Sequence, residues 1–246
     1  MKSLLRWSTT LSLAGSAAIA TLFGFPLDSL ALPEQQIIQK LDSIPVFTVT
    51  NGQGAPLVAS TDENQGRVAG VFISQSDAQQ FLTKLRSENP ELGNQVQVTP
   101  VSLGEIYKLE NGNNGAANGL DFAFVPKQQQ VQSAQTIWSS QRQQNDPAQF
   151  AGVPLFVARS GGGYLTLQQN NEQIIPFFFD QQQVQQMVER FKQQQPNMAS
   201  DVTIEVVPLE GMIATLQNSN DQQLTKVVLV PSQETIQFIQ SLPPGQ

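Results

Sequence analysis

The sequence predicts an α+β protein built from two tandem, similar halves of mixed, largely antiparallel strands and helices sharing one core. Three observations predict it. Short strand-like runs alternate with helical patterns, yet many of the links between strands are too short for parallel crossovers. Phe72-Ile73-Ser74, followed by Ala78, Phe81, Leu82 and Leu85 at helical spacing, is answered by Phe178-Phe179-Asp180 followed by Val184, Met187, Val188 and Phe191. The same interval carries on without a gap from Val96-Gln97-Val98 to Val202-Thr203-Ile204, and from Leu103 to Leu209. Ile44-Pro45-Val46-Phe47 matches Val153-Pro154-Leu155-Phe156, and Val125-Pro126 matches Val230-Pro231, at nearly the same interval. Chance similarity among apolar strands would explain one such block. Four blocks in one order predict a duplication packed about a pseudo-twofold axis.

The elements follow in order. Residues 1–31 read as a cleavable secretory signal: Lys2 and Arg6 are the basic start, Leu11 to Phe25 the apolar stretch, and Ser29-Leu30-Ala31 the small-x-small cleavage site. An uncleaved anchor needs about 20 strongly apolar residues, more than this stretch supplies. Residues 32–246 then form a single domain, with repeat one at about 34–142 and repeat two at about 143–242.

Pro33 and Glu34 start a short helix that turns Ile37, Ile38 and Leu41 inward. Strands at 46–50 and 57–60 flank the turn residues Asn51-Gly52-Gln53-Gly54. A polar loop, 61–67, leads to a strand at 70–74. Ser74 or Ser76 caps the next helix, which stops before Asn89-Pro90. A strand at 96–98, a helical piece at 103–109, a strand at 122–125 and a helix at 127–142 complete the first unit. The second repeats that order with strands at 155–158, 164–167 and 174–179, a helix at 181–194, a strand at 202–207, a segment at 209–216, a strand at 226–230 and a helix at 233–240. The glutamine runs at 128–130, 181–183 and 193–195 read as uncharged helix formers on a solvated face.

Composition excludes much chemistry. The 246 residues contain no histidine and no cysteine. Thiolate nucleophiles, disulfides, Cys or His zinc sites and a Ser-His-Asp triad are therefore impossible. No phosphate-binding loop, no G-x-S-x-G and no dinucleotide fingerprint stands in for them. The expectation is a protein that is not an enzyme and uses no cofactor. With 20 acidic against 13 basic residues and a net charge of −7, the chain is a poor partner for nucleic acid or anionic membrane.

The candidate sites are weighed against plain alternatives. Asn111-Gly112-Asn113-Asn114-Gly115 lacks the acidic ligands of a calcium loop and reads as a flexible insertion. Asp62, Glu63 and Asp221 read as solvated turn residues. Gly161-Gly162-Gly163 sits between two strand-like segments, so a hairpin turn fits better than a phosphate cradle. The apolar surplus stands out. Phe177-Phe178-Phe179 cannot point three rings to one side of a strand. Either that strand is buried on both faces, or one face is open as a pocket. Phe47, Phe72 and Phe156 occupy related positions.

The runs Ile44 to Phe47, Gly70 to Ser74 with Ala78, Phe81 and Leu82, Val101-Ser102-Leu103-Gly104-Glu105-Ile106-Tyr107, and Phe124-Val125-Pro126 together resemble the Tic22-like family, in its cyanobacterial branch. That family is named for the intermembrane-space component of the chloroplast inner-envelope translocon. The likeness spans Leu32 to about Leu242. It implies a soluble chaperone-like factor of the periplasm or thylakoid lumen, exported by a Sec-type signal, with no integral membrane segment after cleavage. Its implied partners are unfolded precursor proteins and an outer-membrane insertase, in protein transport and outer-membrane biogenesis. It implies two related halves with hydrophobic pockets and no catalytic or metal-binding residues. By matching position, Phe72, Phe81, Phe178 and Met187 would line such pockets, with core packing the equal alternative. Together with Phe47, Phe156, Phe177 and Phe179 of the apolar surplus they are the candidate client-binding residues. The alternative is a non-catalytic scaffold that docks folded partners such as the insertase's periplasmic domain.

Overall fold

The computed structural model describes residues 32–60, 66–112, 120–143 and 146–241. The expected signal segment, Asp62 and Glu63, and residues 113–115 of the asparagine-glycine loop lie outside these. Helix α1 (Glu34–Asp42) buries Ile37, Ile38 and Leu41. Strands β1 (Pro45–Asn51), β2 (Val58–Ser60) and β3 (Arg67–Phe72) precede helix α2 (Gln75–Glu88). Ser74 is the N-cap of α2, its hydroxyl accepting from the Asp77 N–H, and the helix stops at Asn89 because Pro90 follows. The short α3 (Pro90–Gly93), β4 (Val96–Ser102), α4 (Leu103–Gly112), β5 (Leu120–Val125) and α5 (Gln128–Gln141) come next.

The second half contains β6 (Pro154–Ser160), β7 (Gly163–Tyr164), β8 (Leu167–Gln169), β9 (Glu172–Phe178) and α6 (Gln181–Gln194). A 3-10 segment (Pro196–Asp201) follows, then β10 (Thr203–Pro208), α7 (Leu209–Asn218), a second 3-10 segment (Gln222–Lys226), β11 (Val227–Val230) and α8 (Gln233–Ser241). The strand expected at 164–167 is two short strands, β7 and β8, that pair with different partners. The two 3-10 segments and α3 are pieces of four to six residues opened by proline or an aspartate cap, too short for periodicity to reveal.

In the first sheet β1 is antiparallel to β3 and β4, and β5 runs parallel to β3. In the second, β6 is antiparallel to β9 and β10, and β11 runs parallel to β9. Phe47 pairs with Phe72 across the first, and Phe156 with Phe178 across the second. Two longer-range hydrogen bonds have counterparts. Leu103 N–H donates to the Ile44 carbonyl and Leu209 N–H to that of Val153, each at 2.8 Å. Ile73 N–H donates to Val125 and Phe179 N–H to Val230, at 3.2 and 3.1 Å.

Strand alternation divides the apolar side chains among three clusters. Val46, Val71 and Ile73 from one sheet meet Leu155, Val157, Ile175, Phe177 and Phe179 from the other, together with α1, α4 and α7. The opposite face of the first sheet (Phe47, Val49, Phe72) packs on Ala78 and Leu82 of α2 and on Phe238 of α8. The opposite face of the second (Phe156, Ala158, Phe178) packs on α6 and on Ala134, Ile137 and Trp138 of α5. Each half thus sends its last helix onto the other half's sheet. Phe238 meets Phe47 edge-on at 5.1 Å between ring centroids.

Candidate functional site

The Phe177–Phe179 run resolves to a strand covered on both sides: Phe177 and Phe179 point into the central cluster and Phe178 into the second, each no more than 4% exposed. Phe47, Phe72, Phe156 and Met187 are buried as well. Burial of rings this size stabilises the fold by about 1.5–3 kcal/mol each, so packing accounts for them. Phe81 differs. It lies on α2, 41% exposed, with its ring 5.4 Å from that of Phe72. The structure does not bring the eight candidates together as one surface.

It does open a cleft that Phe177 helps to line. A cavity of about 370 Å³ lies where β9, β10 and β11 meet α7 and the 3-10 segment Gln222–Lys226. Ile175, Phe177, Val207, Met212, Leu224 and Val227 make it apolar. Thr215, Ser219, Asp221 and Gln223 add polar groups, and Tyr164 of β7 also lines it. Local sequence explains each position. Ile175 and Phe177 share a strand face by the two-residue period, while Met212 and Thr215 lie three apart on one face of α7. Asp221 caps the 3-10 segment by accepting from the Gln223 N–H at 2.9 Å, which fixes Leu224 facing inward.

Tyr164 reaches the cleft through a tight turn. Gly161 and Gly162 have φ of +59° and +85°, a left-handed backbone that only glycine adopts without strain, as the hairpin reading requires. Arg159, cross-strand from Tyr164, lies with its guanidinium carbon 5.3 Å from the tyrosine ring centroid. Its Nη2 donates to the Gly162 carbonyl at 2.9 Å and its Nη1 pairs with Glu205 at 3.3 Å. The Tyr164 ring stands 5.7 Å from that of Phe177.

Two polar contacts brace the surroundings. Lys40 of α1 donates to the carbonyls of Thr225 and Val227 at 2.7 and 2.9 Å, and burial holds its pKa below the ordinary lysine value. Glu234 of α8 accepts from Ser74 Oγ, the Ser76 N–H and Lys127 Nζ at 2.9–3.0 Å. Burial pushes the Glu234 carboxyl up, but these three bonds outweigh it and leave the pKa below the usual glutamate value. Asp77 beside it is raised by burial and by Glu234, against the pull of Lys127. Glu110 is raised by burial and by Asp121 and Glu210. Among the described residues no group of acidic side chains is arranged to hold a metal ion, and no helix is long and apolar enough to cross a membrane.

Sequence reasoning reached Phe177 but missed Tyr164, Met212 and Leu224. Their signal was faint: one aromatic directly after three glycines, one of several apolar residues on the helix at 209–218, and a lone leucine in the short segment that follows it.

Two mixed sheets that exchange covering helices, with an apolar cleft formed by elements of the second half, make up an α+β fold. The chain belongs to the Tic22-like family, whose profile matches residues 6–241. Its fold is similar to that of Anabaena Tic22, described as a protein of protein transport, with a TM-score of 0.76 and 35% identity over 87% of this chain and 100% of that one. Tic22 from Plasmodium falciparum shares the fold with a TM-score of 0.65 at 23% identity, over 85% of this chain and 98% of that one. Among curated proteins, chloroplastic TIC 22 of Pisum sativum is 25% identical over 70% of this chain. The match spans only 62% of the pea protein's own length. Chloroplastic TIC 22 of Arabidopsis thaliana is 24% identical over 84% of this chain and 71% of its own length.

Proposed function

We propose that this protein is an ATP-independent holding chaperone of protein transport, and not an enzyme. In this reading it is exported to the periplasm by residues 1–31. There it holds unfolded precursors, including those bound for the outer membrane. The single observation that carries the reading is the cleft: about 370 Å³ of apolar space whose lining ends in exposed polar side chains, within an acidic chain. Such a site accepts large apolar side chains of an extended chain, while the charged exterior keeps the complex in solution. The matched strand pairings and hydrogen bonds of the two halves support the further reading that they are copies of one unit about a pseudo-twofold axis. The exposed ring of Phe81 is a second contact point in this reading.

The test dilutes a urea-denatured outer-membrane barrel into buffer without nucleotide and follows aggregation by light scattering. The protein should suppress scattering near equimolar ratio. Thr215→Arg, an exposed helix position that lines the cleft, should abolish suppression while leaving the circular dichroism spectrum unchanged. Full suppression by Thr215→Arg would remove the cleft from the reading. No suppression by the wild type, with one tight complex formed with a folded insertase domain, would replace it by the scaffold reading.

A further inference from the structure

The cleft is asymmetric in charge and in what holds it. Among the described residues, Asp221 is the one charged side chain in its lining, and it is exposed. Arg159, the cation nearest Tyr164 in the turn, is paired with Glu205 and bonded to the Gly162 carbonyl. Its charge is therefore compensated by a neighbouring carboxylate, and the Lys40 ammonium is held on the Thr225 and Val227 carbonyls. The exposed Asp221 carboxylate, in contrast, accepts from the Gln223 N–H and makes no ion pair among the described residues. A Cβ added at Gly161, Gly162 or Gly163 would meet no atom within 4 Å, so the turn carrying Tyr164 stands clear of neighbouring atoms at those positions. Arg159 ties it down, through the carbonyl bond and by lying against the ring.

From this we infer that Tyr164 and Asp221 determine which segments the cleft takes: an aromatic side chain lodged against Tyr164, which the buried Phe177 backs, with a lysine or arginine beside it in the extended chain facing Asp221. The inference deepens the holding reading and rests on it. The Tyr164 and Phe177 rings already stand at an aromatic-pair distance. Phe177 is buried behind Tyr164, so a third ring meets the exposed part of Tyr164 at the same aromatic spacing of about 4.5–7 Å, a pairing an aliphatic side chain cannot make. A cation alongside gains from Asp221, and a carboxylate there is repelled. Arg159 is a positioning residue, since it acts on the site only through Tyr164.

The test measures binding of fluorescein-labelled ten-residue peptides by anisotropy at low salt. Each has one central residue, Phe or Leu, flanked by either two arginines or two glutamates. The Phe peptide with arginines should bind on the order of tenfold more tightly than its glutamate counterpart, and Asp221→Asn should reduce that ratio to about twofold. Tyr164→Ala should weaken the Phe peptide by about tenfold while changing the Leu peptide by less than about threefold, and Tyr164→Phe should restore it. Because Tyr164 is 38% exposed, its truncation leaves the core intact, and urea unfolding verifies this for each variant. Equal binding of all peptides, or preferences unchanged in the variants, overturns the inference while aggregation suppression by the wild type keeps the holding reading. Failure of both peptide binding and suppression overturns both.

Discussion

The side-chain amide of Gln141 is hydrogen-bonded to both main-chain groups of Val206: Nε2 donates to the carbonyl at 2.6 Å, and the Val206 N–H donates to Oε1 at 3.1 Å. Val206 lies on β10, an end strand of its sheet. One amide at the end of α5 therefore does for this residue what a neighbouring strand would do, and closes that stretch of the edge to another chain.

Gln141→Ala is expected to lower stability by about 1–3 kcal/mol, because both groups of buried Val206 lose their partner. Gln141→Glu should cost at least as much at neutral pH, since a carboxylate accepts from the N–H but cannot donate to the carbonyl. Urea midpoints rank the three proteins. A glutamate variant more stable than the alanine variant would contradict the pairing.

The two kinds of phenylalanine should separate cleanly. Phe178→Ala removes a ring that is 4% exposed and should cost about 3–5 kcal/mol. Phe81→Ala removes one that is 41% exposed and should cost about 1 kcal/mol or less. A loss at Phe81 as large as that at Phe178 would mean that α2 packs differently.

Glu234 gives a pH signature. Its folded pKa is lower than the ordinary 4.5, so its stabilising contribution is complete above 4.5 and fades as pH falls through the lower folded value. Asp77 and Glu110 are raised and act in the opposite sense, protonating more readily in the folded protein. Glu234→Gln should cost about 1–2 kcal/mol at pH 7, the range for hydrogen bonds to a charged group reduced for partial exposure. The cost should shrink between pH 5 and pH 3. Chemical denaturation at several pH values measures it, and a difference independent of pH would remove the assignment.

Gly152 has φ of +91°, and a Cβ there would sit 2.5 Å from Glu210 Oε2. That carboxylate also accepts from the Val153 N–H at 3.3–3.4 Å. Gly152→Ala should therefore destabilise by about 1–3 kcal/mol through strain and displacement of the carboxylate. Thermal unfolding reads the loss, and a neutral result would show that the turn before β6 yields freely.

Most of the elements were legible from the chain alone, for a local reason. Spacing of Val184, Met187, Val188 and Phe191 sets a helix face, and Pro90 and Pro196 end helices without reference to anything distant. The partner of a face is not local information. Phe238 and Trp138 are both recognisable as inward-facing, yet nothing near either residue states that it crosses to the other half's sheet. The cleft was illegible for the same reason. Phe177 is one residue of a conspicuous run, but the space beside it is made by Met212, one of three buried side chains on α7, and Leu224 of a short 3-10 segment, which pack around a gap.

The crossing of α8 sets an order of events. Phe47 and Val49 are made early, and α2 covers part of their face through Ala78 and Leu82. The ring that meets Phe47 edge-on is residue 238, so that part of the face lacks its cover until almost two hundred further residues have been made. A chain so wired completes the cover of its first half only when its last helix has been made. Until that helix arrives, the first half carries uncovered apolar surface, which is the condition of the chains it is proposed to hold.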